Sequence, residues 1–173
     1  DLLKFSRERK MELIVPCLYS ELEGAALPNI DEEISKTKYL DHIIVGLDRA
    51  NENQAKKAWK FFKKLKTPFS VLWNDGPGLK KLDKELKKND LSPNELGKGR
   101  NVWYCIGMSI ARDTARSVAL HDCDIKTYDR RMLAKLFYPV VNPLFNFEFF
   151  KVYYTRVASN KMNGRVARLL VFP

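Results

Sequence analysis

Two carboxylates one residue apart, Asp122 and Asp124, stand in the run His121-Asp122-Cys123-Asp124, directly after the apolar stretch Ser117-Val118-Ala119-Leu120. Such a pair at a strand terminus, where the chain turns, can converge on one divalent cation. Hard oxygen donors select Mg2+ or Mn2+, and a cation so held can bridge the phosphates of a nucleotide. His121 with Cys123 also has the look of a zinc half-site, but no further Cys/His pair completes four ligands, so zinc carries little weight. Gly97-Lys98-Gly99 precedes a helical stretch. Glycines let the backbone approach a phosphate, a helix N-terminus favours anions, and Lys98 adds a full charge. It is not a P-loop, because GxxxxGK[ST] is absent. In Gly164-Arg165-Val166-Ala167-Arg168, two arginines at i, i+3 can fork onto a phosphate or carboxylate. The same spacing suits a basic edge strand that discourages aggregation. His42 and His121 lack Ser/His/Asp or Cys/His partners at supporting spacing and read as structural, and no protein nucleophile is identified.

The elements that must position these residues alternate between strand and helix. Met11–Leu18 contains an apolar run ended by Pro16, and 42–47 (HIIVGL) is β-branched and apolar, as a strand buried on both faces should be. Phe69–Trp73 and Ser117–Leu120 are the other strands of this kind. Between them the spacing predicts a short helix at 31–35 and an amphipathic helix over 52–66, with Ala55, Trp59, Phe62 and Leu65 on one face. A lysine-rich helix follows at 79–88, and a long one at 100–116 carries Val102, Ile106, Ser109 and Ile110 on one face. A further helix is expected at 129–137. Beyond Pro143, phenylalanines alternate at 145, 147 and 149 in strand spacing, 159–164 reads as a polar turn, and 165–172 as extended. The aromatic block from Phe145 to Tyr154 reads as core packing rather than a stacking surface.

Repeated β-α-β units predict an α/β fold, a mostly parallel sheet with helices on both faces. Ligands bind such sheets beyond the carboxyl ends of the strands. Four exits carry polar or turn residues: Pro16 to Glu21, Asp48-Arg49, Asn74-Asp75 and Asp122 to Asp124. All four are therefore expected along one edge.

Composition bounds the alternatives. The 173 residues hold 45% hydrophobic and 12% aromatic side chains, which suits one globular domain and excludes a disordered basic tail. No apolar run approaches the roughly 20 residues needed to span a bilayer. Three cysteines without CxxC spacing indicate neither a disulfide framework nor structural zinc, and a reducing cytoplasm is the expected setting. A net charge of +10 predicts an anionic partner: nucleic acid, a phospholipid surface or a phosphorylated small molecule. RNP, KH and zinc-finger signatures are absent, so nucleic acid is not expected. The paired lysines at helical spacing read as solvated faces. The chain starts at Asp1 without a signal-peptide pattern and stops after Leu169-Leu170-Val171-Phe172, from which a fragment is expected.

Taken in order, Val15 to Glu21, Val45 to Arg49, Gly97 to Trp103, Asp122-Cys123-Asp124 and Tyr153 to Leu170 with its Gly-Arg-Val core resemble the GT-A nucleotide-sugar glycosyltransferases. Within them the chain looks most like the glucosyl-3-phosphoglycerate synthase family. The resemblance implies a GT-A, Rossmann-like fold with its C-terminal part incomplete, one transferase domain over 1–173, a donor half over 1–128 and the start of an acceptor half over 129–173. It implies retaining, metal-dependent transfer of glucose from UDP-glucose to 3-phosphoglycerate, with Mg2+ or Mn2+. Pro16, Cys17, Leu18 and Glu21 would hold the uracil, Asp48, Lys98 and Gly99 would lie near the donor, Asp122 would face the ribose, and Asp124 with Asp122 would serve the metal. Gly164, Arg165 and Arg168 would bind the phosphorylated acceptor. The chain departs from the family pattern at Tyr19, Ser20 and Ala167. A homodimer is compatible with this reading. Another GT-A enzyme using GDP-mannose or a phospholipid-linked acceptor, or a basic nucleic-acid-binding module, are the alternatives.

Overall fold

The computed structural model describes residues 1–93, 95–145 and 147–152, together with the backbone of two short strands at 156–158 and 161–163. Its centre is a parallel sheet of four strands in the order β3-β2-β1-β4: β1 is Met11–Leu18, β2 Leu40–Asp48, β3 Phe69–Trp73 and β4 Ser117–Leu120. Six helices are described: α1 Leu2–Phe5 precedes β1, α2 Ala26–Ser35, α3 Glu52–Phe62, α4 Pro77–Lys88 and α5 Lys98–Arg112 lie between the strands, and α6 Arg130–Val141 follows β4. A 3-10 turn, Tyr19–Glu23, follows β1. β5 (Arg156–Ala158) and β6 (Lys161–Asn163) form a separate antiparallel pair. This is the α/β architecture expected from the alternating pattern.

β1 and β2 form the middle of the sheet because their side chains can be buried on both faces. Leu13, Val15, Ile43 and Val45 pack on one side with Leu27, Ile30 and Ile34 of α2, Phe62 of α3, and Leu133, Phe137 and Val141 of α6. Ile14 and Ile44 face the other way, onto Cys105 of α5. Each fully buried aliphatic side chain contributes about 1.5–3 kcal/mol, so these two rows of residues dominate the fold's stability.

α5 does not bury the apolar stripe its spacing suggested. Asn101, Tyr104, Cys105 and Ser109 face inward, whereas Ile106 and Ile110 are exposed. Hydrogen bonds made from the polar positions explain the reversal. Asn101 Nδ2 donates to the Gly46 carbonyl at 2.7 Å, and Ser109 Oγ donates to the fully buried Glu12, which also accepts from Arg112 Nε at 3.0 Å. Gly46 is required here, since a Cβ would collide with the Asn101 and Cys105 side chains. In α3, similarly, Ala58 and Phe62 are buried while Trp59 lies half exposed beneath Lys63.

Several boundaries also move. α2 begins earlier than 31, α5 stops at Arg112 where Asp113 turns left-handed (φ 47), and α6 runs on through Pro139 to Val141. The alternation at 145, 147 and 149 makes no strand: those phenylalanines are exposed and irregular, and they do not enter the core. β6 occupies part of the expected polar turn, and the expected extended segment at 165–172 lies outside the described residues. Among the described residues no helix is long and apolar enough to cross a membrane.

Candidate functional site

The chain builds β2 and β3 on one side of β1 and β4 on the other, so the strand order reverses at β1. Loops leaving adjacent strands there diverge to opposite faces and open a crevice at their carboxyl ends. A cleft of about 220 Å3 lies at this point, lined by Pro16, Cys17, Leu18, Glu21, Asp48, Arg49, Gly97, Lys98, Asn101, Asp122, Cys123 and Asp124. Every residue the sequence assigned to a donor or metal is on that wall except Gly99. Gly99 sits in the first turn of α5 with open space around its Cβ position.

Three of the four polar strand exits meet in the cleft. The fourth does other work: Asp75 Oδ2 accepts from the Ala50 N–H at 3.1 Å, and Trp73 Nε1 donates to the Ala50 carbonyl at 2.7 Å. Trp73 and Asp75 thus tie down the turn after β2, and neither Asn74 nor Asp75 lines the cleft. Gly164, Arg165 and Arg168 lie outside the described residues.

Positive charge reaches the cleft from the N-terminus of α5. Gly97 precedes the helix at φ 138, a conformation open to glycine and costly for other residues. Lys98 Nζ donates to Asp122 Oδ1 across the cleft. Arg100 approaches the buried Asp48 at 3.5 Å, with both side chains largely removed from water. The free N–H groups of the first helical turn add to this field. Asn101 and Arg100 were missed in the sequence reading. The available signal was their position on the first turn of the helix that Lys98 opens.

At the opposite wall, Cys17 and Cys123 lie side by side as free thiols. The Cys123 thiol hydrogen-bonded beside it, together with burial, holds Cys17 far above the ordinary thiol range. His121 is buried, and its lost hydration lowers its pKa. Its ring packs 4.8 Å from that of Tyr128.

The fit to a metal follows from the donor set. Asp122 and Asp124 place two carboxylates on one loop at the cleft wall. Among the described residues, no group of three His, Cys, Asp or Glu side chains converges as a ligand set. The two carboxylates are hard oxygen donors, which suit a cation that takes its remaining oxygens from water or phosphate.

No family model matches the chain. A glucosyl-3-phosphoglycerate synthase of Persephonella marina is 44% identical over 169 residues, covering 98% of this chain and 42% of the relative. One of Methanococcoides burtonii is 38% identical over 168 residues, 95% of this chain and 41% of the relative. The chain therefore spans about two fifths of the length of these curated relatives. Glucosyl-3-phosphoglycerate synthase from Mycobacterium tuberculosis, solved with Mn2+, UDP and glucosyl-3-phosphoglycerate, superposes with a TM-score of 0.52 at 17% identity, over 82% of this chain and 43% of that one. Its structure with UDP alone gives the same values. At that identity the likeness is one of fold, and it establishes the Rossmann-like architecture of the four-stranded sheet. Along nearly its whole length, this chain is a sequence relative of the glucosyl-3-phosphoglycerate synthases.

Proposed function

We propose that this chain forms the donor-binding part of a metal-dependent, retaining glycosyltransferase that moves glucose from UDP-glucose to 3-phosphoglycerate. The observation that carries the reading is the cleft where the strand order reverses at β1, whose walls bring together residues distant in sequence that the family resemblance assigns to one nucleotide sugar. The relatives' shared name and the Mn2+ and UDP held by the Mycobacterium tuberculosis enzyme support the choice of reaction and metal.

In this reading the Pro16–Leu18 edge and Glu21 hold the base, and Asp122 faces the ribose. Lys98 and the α5 N-terminus meet the diphosphate, giving up the Lys98–Asp122 contact as a nucleotide enters. Asp124, with Asp122, holds Mg2+ or Mn2+. When bound, that cation neutralises charge developing on the leaving diphosphate. Lys98 acts on the same charge from the protein side, where a preorganised cation lowers the barrier most. Gly164, Arg165 and Arg168 take the acceptor phosphate. A front-face route needs no protein nucleophile.

Calorimetry on the chain with UDP-glucose and with GDP-mannose, each with and without Mn2+, tests the assignment. Tighter, Mn2+-dependent binding of UDP-glucose is expected. Preference for GDP-mannose, or binding indifferent to metal, would overturn it. Glucose transfer to 3-phosphoglycerate is assayed in a version extended to the relatives' length, where absence of product would reject the proposed acceptor.

A further inference from the structure

β4 ends at Leu120, and the sheet supplies one more rung: the His121 N–H donates to the Ile14 carbonyl at 3.4 Å. Beyond it the backbone leaves the sheet. Asp122, Cys123 and Asp124 make no backbone-to-backbone hydrogen bond with another described residue. The loop that carries both acidic residues therefore has no ladder to fix its peptide planes.

A side chain takes over that task. His121 Nδ1 lies 3.0 Å from the Asp122 carbonyl oxygen. A carbonyl only accepts, so the proton is on Nδ1, and a neutral ring then has a bare Nε2. That Nε2 is buried and has no partner among the described residues. The ring is pinned by Tyr128 at 4.8 Å, whose own carbonyl accepts from Asn29 Nδ2 at 3.1 Å, which ties the far end of the loop to α2.

We propose that His121 is the positioning residue of the acidic loop, its Nδ1–H clamping the Asp122 carbonyl so that the carboxylates of Asp122 and Asp124 reach the same cleft. The ligand consequence rests on the nucleotide–metal reading above; the loop-ordering consequence stands without it. Partners of this kind, which orient a metal-binding side chain without touching the metal, commonly change affinity by about 10- to 100-fold.

The substitutions that test this differ in where they place a donor. In His121→Asn the amide nitrogen occupies the Nδ1 position, in His121→Gln it is shifted toward Nε2, and His121→Phe keeps a ring without a donor. Two readouts are taken on the 173-residue chain: amide hydrogen exchange at position 121, whose N–H donates to the Ile14 carbonyl as the last rung before the loop, corrected for the side chain's effect on the intrinsic rate and measured without ligand, and UDP affinity with Mn2+. His121→Phe is expected to accelerate exchange and weaken UDP–Mn2+ binding by about tenfold or more, with His121→Asn restoring both to within about threefold and His121→Gln restoring neither. Wild-type behaviour of His121→Phe, or equal losses in His121→Asn and His121→Phe, would overturn the proposal. Should His121→Phe fail to fold, His121→Asn against His121→Gln decides by the same criterion. If the wild-type chain binds no UDP with Mn2+, the nucleotide reading falls and the exchange data alone decide the role of His121.

Discussion

Asp122 and Asp124 share a loop but not an environment. Asp122 is partly buried and already engaged by Lys98, whereas Asp124 is exposed and has no ion pair among the described residues. Removing Asp124 therefore strips the proposed metal donor without opening the core. In Asp124→Ala, Mn2+ should no longer strengthen UDP binding in calorimetry, while stability shifts by no more than about 0.5 kcal/mol, as for other exposed sites. Retained metal dependence would show that the cation is held elsewhere. The acidic pair and Lys98 were picked out in the sequence by position, the pair directly after an apolar strand and the lysine between two glycines ahead of a helix. The partner of Asp48 was not legible. Arg100 follows the Gly-Lys-Gly run as one more cation, and only the packing of α5 on β2 brings it to that carboxylate.

At the scale of elements, the strands were the readable part. Continuous β-branched runs such as Ile43-Ile44-Val45 have few other uses than a sheet covered on both faces. Helix faces were less readable, because hydrophobic spacing cannot foresee a buried polar contact. Asn101 and Ser109 turn inward only because the Gly46 carbonyl and Glu12 wait opposite them. The phenylalanines at 145, 147 and 149 show the converse, a strand-like alternation with no neighbouring strand to pair with among the described residues. α2 carries a different kind of tension. Asp31 is partly buried with Oδ1 unpartnered, and the lost hydration pushes its pKa up to about 6 against an opposing pull from Lys64. A raised carboxyl pKa means the folded state binds the proton more tightly between about pH 4 and 6, so its contribution to stability falls as pH rises through that window. Asp31→Asn should accordingly be more stable than the wild type at pH 7 by about 1 kcal/mol, the figure being reduced for the group's partial exposure. Thermal melts at pH 4 and pH 7 check this. The gain should disappear at the lower pH.

Seen whole, the molecule is covered unevenly. Among the described residues β4 is an edge strand whose Val118 and Leu120 stand on the α5 side of the sheet, in register with Glu12 and Ile14, yet both are exposed. Ile110 of α5 is 72% exposed, and Leu144 and Phe149 are 87% and 81% exposed. An open strand edge beside apolar side chains favours association between chains. Sedimentation velocity should show mass rising with concentration, and Val118→Lys with Ile110→Lys should reduce that rise while leaving the melting temperature nearly unchanged. An unaltered concentration dependence would place the contact elsewhere. Part of the +10 charge stands as lysines on the outer faces of α3 and α4, and a smaller part lies at the α5 N-terminus facing the cleft.

The reversal of strand order at β1 also governs when the cleft can come into being. β2 and β3 join β1 through consecutive connections, but β4 must return across most of the chain to pair Met11 with Ser117 and Ile14 with Leu120. Closing so long a loop is entropically expensive and falls late in assembly. Until it closes, the half of the cleft carried by Cys17 is separated from the half carried by Asp122. A ligand spanning both walls has no template to bind in the partly folded chain, so it cannot speed folding. It acts instead as a brake on departure from the native state, lengthening the lifetime of a fold whose assembly it never meets.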